Sequence, residues 1–522
     1  MTDAIRAQER ELRAGGGPAG HERQRRLGRL PVRERLGLLL DAGAPFLEIG
    51  LWSGWGVDPA WGDVPAAGLV AGIGRIAGRL CLVAAHDATV KAGAMFPSSV
   101  KKLIRAQKIA HRLRLPVVYL VDSAGVFLPL QAEIFPDEDD FGRIFRNNAI
   151  LSEEGIPQFA AVMGNCIAGG AYLPVLCDTV LMTEGSQLCL AGPALVKAAV
   201  GQVVEPEELG GAAMHARTSG TVDYHEPDDA ACLARIRELV GLLPATAATD
   251  TATLPGRDPD DLYRLVPADG RREYDMREVF DCIVDTGTFR EFRAEWGRTV
   301  VAGSARIGGH PVGIVANARQ RSQSSRGEWQ IGGVLYGDAA EKAARFVAEC
   351  DQSRVPLLFV HDVQGFMVGK QAEQSGIIRS GAQLVRAMSV ATVPKFTVIV
   401  GSSYGAGHYA MCGRAYDPAL LLAWPNARYA VMGGAQAAET LLSLRLREAS
   451  RGGAAPTPEE VATLRESVRA SYEEETDVRY AAARGWVDAI IAPHETRTWL
   501  ATALAALPPP APARAPTEPR DV

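Results

Sequence analysis

The 522-residue chain carries the same phrase twice. Ile156–Pro174 reads IPQFAAVMGNCIAGGAYLP, and Val393–Met411 reads VPKFTVIVGSSYGAGHYAM. Other pairs follow in the same order. Val70–Asp87 resembles Val301–Asn317, Arg114–Leu128 (RLPVVYLVDSAGVFL) resembles Arg354–Val368 (RVPLLFVHDVQGFMV), and Cys189–Val196 resembles Ala430–Ala438 more weakly. Several ordered matches argue for a duplicated domain, and a chain of this length exceeds one ordinary core. The expected division is a first domain over 1–250 and a second over 251–522. The aperiodic Thr/Ala/Pro/Asp stretch Leu242–Asp261 is read as the linker. The Pro-rich end from about residue 507 is read as a disordered tail.

Each half holds short Val/Ile/Leu/Ala runs bounded by Gly, Pro or Asp: Leu80–Ala85, Pro116–Val121 and Phe159–Met163, then Val312–Ala316, Pro356–Val360 and Phe396–Val400. Runs apolar throughout fit strands buried on both faces. Between them lie amphipathic stretches, Ser98–Arg114 and Asp338–Arg354, that predict helices. The alternation implies an α/β fold with much parallel pairing in each half. The first thirty residues predict surface-lying helices.

The repeated small residues are Gly169–Gly170 and Ala406–Gly407. Each pair follows a buried strand and precedes a predicted helix, where backbone N–H groups have no internal partner. Small residues let a substrate oxygen approach those amides, the requirement of an oxyanion hole. Close strand–helix packing would ask for the same residues, but matched positions in both halves favour function. A rival reading uses Gly401–Gly405, which fits the G-x-S-x-G nucleophile elbow, with Ser403 as nucleophile and Asp488 and His494 in the right chain order. A third reading, a non-catalytic subunit, sits poorly with two intact small-residue sites. His361, after a predicted strand, reads as a hydrogen-bonded structural residue rather than a catalytic one. Lys101 and Lys102 could meet phosphates, yet a solvated helix face is the plainer account. Arg319–Gly333 has no counterpart in the first half and reads as a loop near the second site.

Composition excludes some classes. A net charge of −6 speaks against a nucleic-acid or anionic-membrane surface. No apolar run could span a bilayer, and the charged N-terminus lacks a signal core, so a cytoplasmic location is expected. The eight cysteines form no CxxC pair and the histidines no ligand spacing, so no metal site is expected.

These motifs together resemble the carboxyltransferase (β) subunits of biotin-dependent acyl-CoA carboxylases, nearest the methylcrotonyl-CoA and geranyl-CoA carboxylase branch. The likeness runs from Arg33 to Arg497. It is carried most specifically by DATVKAGAMFPSSVKK, GNCIAGGAYLPVLCD, AGPALVKAAVGQVVEPEELGGAAMHARTSG and PKFTVIVGSSYGAGHYAMCGRAYDP. The resemblance implies two tandem crotonase-like domains of the ClpP/crotonase superfamily. It implies that Gly169 and Gly170 hold the thioester oxygen of an acyl-CoA, with Ala168, Ala171 and Tyr172 binding substrate. Ala406 and Gly407 would hold the ureido oxygen of biotin, with Gly365, Phe366, Gly405 and His408 on the cofactor side. It further implies a homo-hexamer, a dimer of trimers, with each active site between the first domain of one subunit and the second of another. Carboxybiotin would arrive on a biotin carboxylase/biotin carboxyl carrier (α) partner, and ATP would be used only there. Two departures stand out: His408 occupies a position usually held by Asn, and Arg319–Gly333 is long, as in glutaconyl-CoA decarboxylase subunits that run the transfer in reverse.

Overall fold

The computed structural model describes residues 1–244, 252–270, 272–324, 327–432, 439, 442–443, 446–447 and 457–508. The expected Pro-rich tail, part of the expected linker and most of the weak repeat Ala430–Ala438 lie outside them. The chain forms two compact units, one built from Thr2–Thr246 with Ala482–Ala489, the other chiefly from Ala247–Ala481 with Ile490–Val522.

The first unit is built on a sheet of β1 (Leu47–Ile49), β2 (Leu69–Ile76), β3 (Arg79–His86), β4 (Val117–Ser123), β5 (Gln158–Ile167), β6 (Thr179–Thr183), β7 (Gln187–Cys189) and β8 (Tyr224–Glu226). Its order is β1-β2-β3-β4-β5-β6-β8, with β7 also against β5. The β1–β2 and β2–β3 pairs are antiparallel, and the remaining pairs are parallel. β4 is buried along its whole length, as its unbroken apolar run predicts. Helix Pro97–Leu113 supplies the crossover from β3 to β4, and Phe141–Glu153 that from β4 to β5.

The second unit repeats this plan. Its strands are β9 (Arg290–Phe292), β10 (Val300–Ile307), β11 (His310–Asn317), the short β12 (Ser322–Gln323), β13 (Trp329–Gln330) and β14 (Val334–Leu335), then β15 (Leu357–Val363), β16 (Gly365–Phe366), β17 (Lys395–Tyr404), β18 (Leu420–Ala423) and β19 (Arg428–Ala430). The main path runs β18-β17-β15-β11-β10-β9, with β19 against β17. Again the β9–β10 and β10–β11 pairs are antiparallel, and the β11–β15, β15–β17, β17–β18 and β17–β19 pairs are parallel. Helices Gly337–Gln352 and Ile377–Val390 take the crossover positions. The fold is α/β, two crotonase-like domains related by duplication.

The duplication reaches single bonds. The β2–β3 turn has positive φ at Ala77 (49°) and Gly78 (81°), and the β10–β11 turn at Gly308 (60°) and Gly309 (83°). These are the two left-handed central positions that a tight hairpin needs. Asp41 accepts both turn amides in the first unit, at 2.9 and 2.7 Å. Asp285 does so in the second, at 2.9 and 2.8 Å. A buried lysine then secures each β hairpin: Lys102 Nζ donates to the Ala66 (3.0 Å) and Leu69 carbonyls, and Lys342 Nζ to that of Val300 (2.8 Å). Burial pulls the two ammonium groups down, to about 7 and about 8.

Three expectations change. Lys102 is neither a phosphate ligand nor part of a solvated face, because its helix turns it under β2. The N-terminal helix Thr2–Arg13 is not wholly surface-lying: Ile5 and Glu9 are buried, and Glu9 accepts from Arg6 at 2.7 Å. Ala482–Ala489, placed by sequence in the second domain, clusters with the first unit. There Asp488 O accepts from Gly50 N at 2.7 Å, and the Asp488 carboxylate takes two bonds from Arg105, at 2.8 and 2.6 Å. The described end of the expected linker is held to the second unit, where Pro255 bridges to Asp285 and Arg257 N donates to Asp281 O at 3.0 Å. Among the described residues no helix is long and apolar enough to cross a membrane.

Candidate functional site

In the first unit β5 ends at Ile167, and Ala168 takes φ 62° to begin the turn Ala168–Ala171, followed by the short helix Tyr172–Val175. A positive φ is costly for alanine, so this bend is imposed by its surroundings. Ala168 and Gly169 are exposed, Gly170 is half-buried and Ala171 is buried. A Cβ added at Gly170 would meet nothing within 4 Å, so packing does not explain this glycine. Behind it opens a mostly apolar pocket whose lining includes Met95, Phe141, Ile144, Phe145, Cys166 and Gly170. Phe145 stands edge-on to both Phe141 (5.3 Å) and the half-exposed Tyr172 (5.7 Å). Burial pushes the Cys166 thiol up, and it lies 3.5 Å from the Gly170 carbonyl as a weak donor. His86, also on the lining, is driven down to about 4 by burial and is neutral at pH 7.

The second-unit turn has the same path and different surroundings. Gly405 takes φ 54°, and a Cβ there would lie 2.7 Å from the Val431 carbonyl oxygen. Ala406 is exposed, while Gly407 is buried. A Cβ on Gly407 would approach Val363 Cγ2 to 2.6 Å and Gly365 Cα to 3.2 Å, so this glycine is required by packing. β16 pairs in parallel with β14, and Phe366 rests on helix Ile377–Val390 at Gly381. The structure thus gathers Gly365, Phe366, Gly405, Ala406, Gly407 and His408 around one turn, and Ala168–Tyr172 around the other. The loop Arg319–Gly333 contains a hairpin, β12–β13, tied to the segment after β16 where Gln371 Nε2 donates to Glu328 at 2.9 Å.

Beneath each turn lies a buried carboxylate that sequence reasoning passed over. Gly164 and Gly401 are glycine because a Cβ would fall 2.0 Å from Asp122 Oδ1 and 2.5 Å from Asp362 Oδ1. Asp122 accepts from Asn165 N (3.2 Å) and faces Arg35 and Arg29 at 3.4 and 3.6 Å. Asp362 accepts from Ser402 N (2.9 Å) and Tyr274 OH (2.9 Å) and pairs with Arg319 at 3.1 Å. Each aspartate sits at a register shift, of β4 against β5 or of β15 against β17. There it holds the amide after the glycine and so aims the strand into its turn. Burial raises the Asp122 carboxyl, although its two arginines oppose this. The signal was present in the aligned VDSAG and HDVQG.

The serine-hydrolase geometry is overturned. Asp488 is bound by Arg105 in the first unit, and His494 bonds Tyr263 at 2.9 Å. Ser403 instead contacts His361 Nδ1 (2.9 Å) and His408 Nδ1 (2.8 Å), and the residue is only 1 % exposed, out of reach of a substrate. His361 is the hydrogen-bonded residue the sequence suggests: Nε2 contacts the Met411 carbonyl. Among the described residues no group of three or more His, Cys, Asp and Glu is placed to hold a metal.

Residues 23–515 match the family model of the carboxyl transferase domain. The chain is 46% identical, over 94% of its own length and 90% of the relative's, to the biotin-dependent 3-methylcrotonyl-coenzyme A carboxylase beta1 subunit of Mycobacterium tuberculosis. It is 43% identical, over 95% and 83%, to the mitochondrial methylcrotonoyl-CoA carboxylase beta chain of Dictyostelium discoideum. Its structure superposes on the crystal structure of the P. aeruginosa geranyl-CoA carboxylase beta subunit with a TM-score of 0.85 at 37% identity, covering 98% of this chain and 94% of that one. With a duplicated sheet plan, a like-built turn in each half and this match along nearly its whole length, the chain belongs to the carboxyl transferase domain family.

Proposed function

We propose that the protein is the carboxyltransferase subunit of a biotin-dependent acyl-CoA carboxylase and moves CO2 from carboxybiotin to a branched or α,β-unsaturated acyl-CoA. The observation that carries this is the turn at Gly170, whose glycine has no packing duty and which lines a small apolar recess. The amides of Gly169 and Gly170 receive the charge that grows on the thioester oxygen as the α- or γ-proton leaves, and fixed donors cost no reorganisation at that moment. Ala168, Ala171 and Tyr172 shape the mouth, and Phe141 and Phe145 take the acyl chain by apolar contact.

The second turn suits a compact polar ring. Its backbone is brought to the surface by the exposed Ala406 and kept free of bulk by Gly405 and Gly407. The Ala406 and Gly407 amides hold the ureido oxygen of biotin, with Gly365, Phe366 and His408 supporting that side. Biotin supplies, when bound, both the carboxyl group and the base that takes the substrate proton. The buried neutral histidines and raised thiols of this chain accord with a protein that stabilises charge and excludes water. Biotin is carried, and carboxylated with ATP, by an α-type partner, and this chain assembles as a homo-hexamer, a dimer of trimers.

The test supplies the chain with an α subunit, which carboxylates its biotin, together with labelled bicarbonate, ATP and a panel of acyl-CoAs. Label is expected in branched, unsaturated acyl-CoAs, and sizing in solution is expected to give the hexamer. Thioester hydrolysis without carboxylation of any panel member overturns the reading.

A further inference from the structure

Three side chains in the second unit form one continuous hydrogen-bonded chain. The Met411 carbonyl can only accept, so the proton of the buried His361 ring sits on Nε2. Its Nδ1 is then an acceptor, and the Ser403 hydroxyl donates to it across 2.9 Å. The hydroxyl proton being committed, Ser403 Oγ accepts from His408 Nδ1–H at 2.8 Å. The polarity of all three links follows from one carbonyl. Burial pulls both rings well down, to about 3 for His361 and about 4 for His408, so the neutral pattern holds at pH 7.

The last link joins residues five apart and spans the turn Tyr404–Gly407 from end to end. That turn contains a left-handed Gly405 and ends on Gly407, which is pressed against Val363 and Gly365. At the aligned positions of the first unit stand Val121, Cys166 and Ala171, and no such chain can form among those side chains.

We propose that His361, Ser403 and His408 are positioning residues that staple the Tyr404–Gly407 turn and so fix the Ala406 and Gly407 amides; the role rests on reading that turn as the biotin side. None of the three needs to touch a substrate. Met411 anchors the chain from the far end of the same helix, Gly405–Ala410, so the staple closes on the element it holds.

The experiment compares Ser403→Ala, His408→Ala, Ser403→Thr and His408→Asn in the full-length protein, by hydrogen–deuterium exchange and by steady-state kinetics with an α subunit, ATP and bicarbonate supplying carboxybiotin. Ser403→Ala and His408→Ala are expected to speed exchange in peptides covering Tyr404–Gly407 about tenfold while leaving Ala168–Ala171 unchanged. They are expected to lower kcat about tenfold with the acyl-CoA KM within about twofold of wild type, because only the second turn is loosened. Ser403→Thr, which keeps the hydroxyl, and His408→Asn, which keeps a donor, should recover most of both losses. Unchanged exchange at Tyr404–Gly407 overturns the staple, and so does equal acceleration in both turns, which would mark general loosening. If wild type transfers no carboxyl group to any acyl-CoA, the functional reading fails, and the exchange data still decide the staple.

Discussion

The two repeated turns have nearly the same backbone and opposite interiors. In the first unit Val121 and Cys166 line a small apolar recess beside Gly170, and Ala171 stands at the position of His408. In the second the aligned His361, Ser403 and His408 occupy that place with a hydrogen-bonded chain, and Gly407 is packed where Gly170 is open. Duplication preserved the scaffold: the paired strands, the hairpin aspartates, the buried lysines and the carboxylates under Gly164 and Gly401. Divergence at three side chains set a hydrogen-bonded chain in the second unit where the first has none. A small apolar recess suits an apolar acyl group at the turn, whereas a plugged turn offers only its surface.

The scaffold is the place to break the comparison hardest. Asp122→Ala removes one of the two carboxylates that face the nearly inaccessible Arg35, which keeps Asp229 at 2.8 Å, and leaves the Asn165 amide without its acceptor; unfolding in urea should show a loss of about 2–3 kcal/mol. Asp362→Ala should cost less, because the Arg319 side chain keeps 11% exposure against 2% for Arg35. Equal losses would mean that the two carboxylates are not graded by the burial of their arginines.

The glycines come next. Gly407→Ala forces a methyl against Val363 and should destabilise by about 1–3 kcal/mol as well as lowering activity. Gly170→Ala should leave the thermal midpoint nearly unchanged while kcat/KM falls, because its methyl meets only substrate. Matching stability losses in the two variants would refute the open-versus-packed distinction.

Acid should separate the halves more gently. The folded pKa values of His361 and His408 lie below the unfolded value, so the stability they confer is whole above pH ~6.5 and is lost as pH falls toward 4 and then 3. His408→Asn should flatten that decline by up to about 1.4 kcal/mol per pH unit, measured as urea midpoints between pH 7 and 4.5. His86 gives the first unit a single ring of this kind, pulled to about 4. The smallest expected effect is on selectivity. Phe145→Ala should shift kcat/KM toward longer acyl-CoAs by about threefold, with little change for the shortest acceptors.

The strands were legible because buried parallel strands carry unbroken apolar runs: Pro116–Val121 became β4 and Phe396–Val400 lies within β17. The paired small residues were legible because the repeat set them in register. The supporting carboxylates were not, although VDSAG and HDVQG lay in aligned text. An aspartate ending an apolar run reads as a turn residue until its distance to a glycine on the next strand is known. The hydrolase geometry failed for the same reason: chain order offered Ser403, Asp488 and His494, while the fold gave Asp488 to Arg105.

By itself the sequence determined a duplicated α/β chain whose two turns are lined with small residues, because strand burial, helix periodicity and internal repetition are written in consecutive residues. Tertiary structure alone decided that Ala482–Ala489 joins the first unit, that Lys102 and Lys342 point inward, and that one turn backs onto a pocket and the other onto a histidine–serine–histidine chain. Those outcomes depend on hydrogen bonds and close approaches between residues far apart in the chain, and only the folded path of the backbone sets such distances.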